Sequence, residues 1–84
     1  MMTTPRVLTM VERRVTASER AAFLGTLAAR RGAARTRHAN LWVFEHPDEP
    51  GRFIEFTEAA NAVDVAAVHE GAVSAPLWRE VRED

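Results

Sequence analysis

Apolar and polar positions alternate with a period of two in three stretches of the chain and follow a helical period in two others, in the order β-α-β-β-α. Residues Met1 to Pro5 carry no such signal and are expected to be a disordered start. From Val7 to Val15 the alternation predicts a first strand, with Val7, Thr9, Val11 and Val15 on one side and Leu8 and Met10 on the other. Thr16-Ala17-Ser18-Glu19 has the form of a capping box, so a helix is expected over about Ser18 to Arg31. Its apolar stripe holds Phe23, Leu27 and Ala34, Arg20 and Arg30 are expected to point outward, and Gly32 marks its expected end. A second strand begins at about Asn40, where Leu41, Val43 and Glu45 alternate with Trp42, Phe44 and His46. The turn formers Pro47-Asp48-Glu49-Pro50-Gly51 then reverse the chain into a third strand over Arg52 to Glu58. Ala62, Val63, Ala66, Ala67 and Glu70 fall near helical spacing, predicting a second helix from Ala59 to about Glu70 that ends at Gly71. The tail from Pro76 to Val81 suits a short helix with proline in its first turn better than a short final strand.

This order puts both helices on one face of an antiparallel sheet, and alternation sorts the strand residues into two sets. Leu8, Met10, Trp42, Phe44, Ile54 and Phe56 form the bulkier set, which is expected to lie under the helices. Thr9, Val11, Leu41, Val43, Phe53, Glu55 and Thr57 form the other, too apolar for a solvated surface and therefore expected to meet a partner or line a ligand cavity. Within that set Thr9, Val11, Val43, Glu55 and Thr57 are the candidate ligand-binding residues, with Glu55 and Thr57 as its polar focus; a plain ion pair between Glu55 and an arginine such as Arg13 is the competing reading.

At 84 residues the chain is read as one domain, 1–84, whose core is thin for its surface. Cysteine is absent, which removes disulfides and thiolate metal sites and leaves pairing with a second copy as the expected supplement. No stretch has the length and apolarity of a signal peptide or a membrane span, so a cytoplasmic, membrane-free protein is expected. All eleven basic residues are arginine, yet acids are interspersed and the formal net charge is −1, so nucleic acid is not expected as a partner. The three histidines have no metal-ligand spacing, neither serine sits in a nucleophile elbow and no phosphate loop is present, so no cofactor is expected.

Leu41-Trp42-Val43-Phe44-Glu45, the turn, and Arg52-Phe53-Ile54-Glu55-Phe56-Thr57-Glu58 resemble the central hairpin of the antibiotic-biosynthesis-monooxygenase-like proteins of the dimeric α+β barrel superfamily. Val65-Ala66-Ala67-Val68-His69 followed by Ser74-Ala75-Pro76-Leu77-Trp78 is similar to that family's second helix and the break after it. The resemblance covers nearly the whole chain and implies a ferredoxin-like α+β fold, with a homodimer whose sheets pair face to face and a cavity between sheet and helices. Two places depart from the pattern: Ala59 stands where relatives often carry tryptophan, and the fourth strand is short or missing. Some relatives oxidise aromatic compounds with oxygen and no prosthetic group. The first expectation is therefore a small-molecule-binding homodimer taking a small apolar or aromatic ligand. The alternatives are a cofactor-independent monooxygenase on an aromatic or quinone-like compound, with Glu55 and His69 as catalytic groups, and a structural interaction module. A histidine such as His69 on a helix face also suits ordinary packing.

Overall fold

A computed structural model describes residues 5–69 and 75–83. The chain runs β1 (Val7–Arg14), α1 (Arg20–Thr36), β2 (Asn40–Glu45), β3 (Arg52–Ala59), α2 (Ala62–His69) and β4 (Leu77–Arg79). The strands form one antiparallel sheet in the order β2-β3-β1-β4. This is a ferredoxin-like α+β architecture with a short fourth strand. Among the described residues no helix is long and apolar enough to cross a membrane.

The hairpin forms where the turn residues require it. Gly51 adopts φ +86°, and a side chain there would overlap the carbonyl of Val15, whose N–H donates to the Gly51 carbonyl. The turn before α1 keeps one half of the capping box: the Thr16 N–H donates to the Glu19 carboxylate at 3.0 Å. Asn61 caps α2 by accepting the Asp64 N–H at 2.9 Å. The predicted end of that helix at Gly71 lies outside the described residues.

Two expectations about elements are corrected. α1 does not stop at Gly32 but continues to Thr36, ending where His38 turns left-handed (φ 53°) and the Ala39 N–H reaches back to the Ala34 carbonyl at 2.8 Å. The tail is a strand, not a helix: Leu77, Trp78 and Arg79 pair with Thr9, Leu8 and Val7. A helix there would have left the outer edge of β1 without those partners.

The larger correction concerns the two sides of the sheet. Thr9, Leu41, Phe53, Glu55 and Thr57 are buried beneath α1 and α2, whereas Met10, Trp42 and Phe44 are exposed on the opposite side. Leu41 packs with Ala34 of α1 and Val68 of α2, with Ala39 and Val43 against them. The reason lies in the helices. α1 and α2 turn Leu27, Arg30, Ala34, Val65 and Val68 inward, a mostly apolar lining that covers Leu41 and Phe53. Glu55 adds a second reason, because a carboxylate buried there demands a cation, and α1 supplies one in Arg30, which is buried and does not point outward.

Candidate functional site

Glu55 stands at the middle of β3, paired across the sheet with Val11 on one side and Val43 on the other. Its side chain is 1% exposed and both oxygens are taken: Arg30 Nη2 donates to Oε1 at 2.7 Å and Arg13 Nε donates to Oε2 at 2.6 Å. Arg30 also donates from Nε to the Val68 carbonyl at 3.0 Å, satisfying a backbone acceptor in the last turn of α2. One carboxylate and two guanidinium groups thus tie β1, β3, α1 and α2 together. Burial pushes the Glu55 carboxyl up, but the hydrogen bonds from Arg13 and Arg30 outweigh it and hold it below its ordinary value. An ionised carboxylate gripped on both oxygens is a charge anchor and a weak proton acceptor.

Beside this cluster an open cleft of about 580 Å³ runs between the N-terminal half of α1 and the end of β1. Arg13, Arg14, Arg30 and His69 line it together with Val15, Ala22, Phe23 and Thr26, and Ser18 and Glu19 form part of its wall. Phe23 is fixed by Phe53, their ring centroids 4.7 Å apart, and the Arg13 guanidinium lies 5.8 Å from the Phe23 ring centre.

The other side of the sheet is open. Strand register places Trp42, Phe56 and Met10 in one row, Phe44 beside Ile54 in the next, and Leu8 beside Trp78 in a third. Phe44 is 56% and Trp78 60% exposed, and Phe44 meets Phe56 edge to face at 6.1 Å. Charges close both ends of these rows: Glu12 bonded to Arg52 at one, Glu58 bonded to Arg6 at the other.

Of the residues singled out from sequence, Glu55 and His69 come to the same region, Glu55 behind the arginines and His69 on the cleft wall with Arg30. Thr9, Val11, Val43 and Thr57 do not line this cleft; Thr9 and Thr57 are buried under the helices and Val11 and Val43 are half-buried there. The pairing of Glu55 with Arg13 is present. Arg30 escaped the reading of the sequence. The signal for it was positional: it falls on the stripe of Phe23, Leu27 and Ala34, where an arginine can enter only if an acid awaits it. Among the described residues no group of three histidine, aspartate or glutamate side chains is placed to hold a metal ion. Comparison with known proteins yields no matching family model, no matching curated protein and no matching solved structure.

Proposed function

We propose that this chain is a small-molecule-binding protein that works as a homodimer of the dimeric α+β barrel type, in keeping with its resemblance to the antibiotic-biosynthesis-monooxygenase-like proteins. The observation that carries the reading is the division of labour between the two sides of the sheet. The helix side carries a charged cleft open to solvent, and the other side carries rows of large apolar side chains that no described residue covers.

A second copy is the occupant that suits this open side. Strands of eight, eight, six and three residues present a face of roughly 400 Å², to which protruding aromatic rings add accessible area. The apolar rows are central and the charges peripheral, as in protein interfaces. An acid–base pair stands at each end of the face, so the rim mixes both signs of charge and forms no single-sign collar for a membrane. In such a dimer the helix-side cleft of each copy stays accessible.

Sedimentation velocity tests the assembly. The natural chain is expected to sediment as a dimer, and Phe44→Arg, which places a cation among the apolar rows, as a monomer of unchanged secondary structure. A natural chain that stays monomeric at high concentration sinks the proposal.

A second reading, oxygen-dependent chemistry on a small aromatic or quinone-like compound, is favoured by one observation: His69 shares the cleft wall with Arg30. It requires a substrate-dependent oxygen uptake that His69→Ala abolishes; uptake unaffected by that change removes His69 from any such role.

A further inference from the structure

We infer that the helix-side cleft takes an acidic small molecule with a flat apolar body, an aromatic carboxylate being the simplest case, its anion held by Arg13 and Arg30 and its ring laid against Phe23. This rests on the reading of the chain as a small-molecule-binding protein and names the class of ligand.

The first argument is charge. Glu55 needs one cation for neutrality but binds two, Arg13 and Arg30, and Arg30 is only 4% exposed. The cluster therefore carries a net positive charge, with the Arg30–Glu55 part shielded from water and Arg13 reaching the open cleft. Arg14 adds to it from the rim, its guanidinium only loosely engaged with Glu49 at 3.8 Å. The acid on the wall, Glu19, is occupied locally, accepting the Thr16 N–H and hydroxyl on the same oxygen at 3.0 and 2.8 Å. Among the described residues, Arg13, Arg14 and Arg30 bring their guanidinium groups to the cleft, with Glu55 and Glu19 beside them and Glu49 shared between Arg14 and Arg52, so the arginine side of the cleft suits a ligand's negative charge.

The second argument is geometry. Arg13 spends its Nε on Glu55, and no described residue accepts a bond from either of its terminal nitrogens, while its side chain is 38% exposed. Arg30 spends Nε and Nη2 and leaves Nη1 without an acceptor among the described residues. Glu55 therefore works as a clamp that orients two planar forks toward the cleft with donors to spare. Such pre-set donors suit a carboxylate, which can accept two parallel N–H bonds from one guanidinium. The apolar part of the ligand follows from Phe23, Val15 and Ala22 on the same walls; Phe23 is held by the tilted ring of Phe53 packed against it. Bare inorganic anions would leave that surface wet.

Two-dimensional 1H–15N NMR of the full chain, titrated with benzoate and separately with its neutral analogue benzamide, tests the inference. Benzoate is expected to shift the signals of Arg13, Phe23, Thr26 and Arg30, binding about ten-fold or more tightly than benzamide, in line with the strength of charge-assisted hydrogen bonds. Arg13→Gln, which leaves Glu55 its bond from Arg30, is expected to remove most of that preference without touching benzamide binding. If this variant fails to fold, the comparison of the two ligands on the natural chain still decides. Equal binding of benzoate and benzamide at the cleft overturns the acidic-ligand inference and leaves ligand binding itself standing. Silence of the cleft toward both overturns this inference and the ligand-binding reading together. Benzoate shifts confined to another surface overturn the inference alone.

Discussion

A single buried carboxylate organises much of the interior. Because Arg30 is almost wholly enclosed and bonded to both Glu55 and the Val68 carbonyl, its loss takes a donor from that carbonyl and leaves half of the carboxylate uncovered. Arg30→Met is therefore expected to cost about 3 kcal/mol in denaturant unfolding, near the lower end for a broken buried pair since Arg13 remains. A loss below a few tenths of a kcal/mol would show that the pair is dispensable. Glu45 makes the complementary case at the surface. Bidentate hydrogen bonds from Arg20 at 2.6 and 2.8 Å, and the Gly51 N–H at 2.9 Å, hold its carboxyl down at about 2. A carboxyl lowered by folding stabilises fully above its ordinary value of 4.5 and loses that effect as pH falls toward about 2. The melting temperature of the natural chain should accordingly drop across that window, and Glu45→Gln should flatten the drop; a parallel pH profile for the variant would detach Glu45 from acid sensitivity.

At the level of elements, strand positions were legible and helix ends were not. Asn40 and Arg52 open their strands where alternation places them, and the Pro47–Gly51 turn between them leaves the chain little choice. Gly32 misled because tertiary contacts carry α1 through it: Ala34, two residues beyond, is buried against Leu41 and Val68. The true terminator, His38, has no glycine to announce it and holds a left-handed backbone at a cost. His38→Gly is expected to raise stability by about 0.5–1 kcal/mol in denaturant unfolding. A loss of stability there would mean that the histidine side chain contributes more than its backbone strain removes. β4 stood second to a helix in the reading of the tail because three residues after a proline give too little alternation to outweigh a helical reading. The sides of the sheet were assigned in reverse for a deeper reason. Alternation separates two sets of side chains but does not say which one the helices take, and both sets here are apolar. The inward arginine decides it: Arg30 on the buried helix face requires Glu55 beneath it, and Thr9, Leu41 and Phe53 share that side of the sheet, leaving Trp42 and Phe44 outside. The site was accordingly half visible, Glu55 and its Arg13 partner in the pattern, Arg30 and the cleft only in the folded chain.

For the molecule as a whole, the small core and the uncovered rows belong together. Buried apolar residues are few, among them Leu27, Leu41, Phe53, Val65 and Val68, while larger ones such as Met10, Trp42, Phe44 and Trp78 remain outside. If a second copy completes the fold, folding and association are one equilibrium, and the melting temperature of the natural chain rises with its concentration. Phe44→Arg should remove that dependence along with the dimer, a readout independent of sedimentation; a concentration-independent melting temperature in the natural chain speaks against the paired state.

The brevity of β4 leaves a last consequence. It pairs only with Val7 to Thr9, so beyond Thr9 the outward backbone groups of β1 meet no strand among the described residues. Such a row is a template on which foreign chains can zip up into fibrils. Here the bare stretch carries Glu12, Arg13 and Arg14 in succession, and an invading strand would have to strip water from three ionised groups before its first hydrogen bond formed. Arg13, which clamps the carboxylate on the sheet's inner side, therefore belongs also to the gatekeepers that keep this edge from growing.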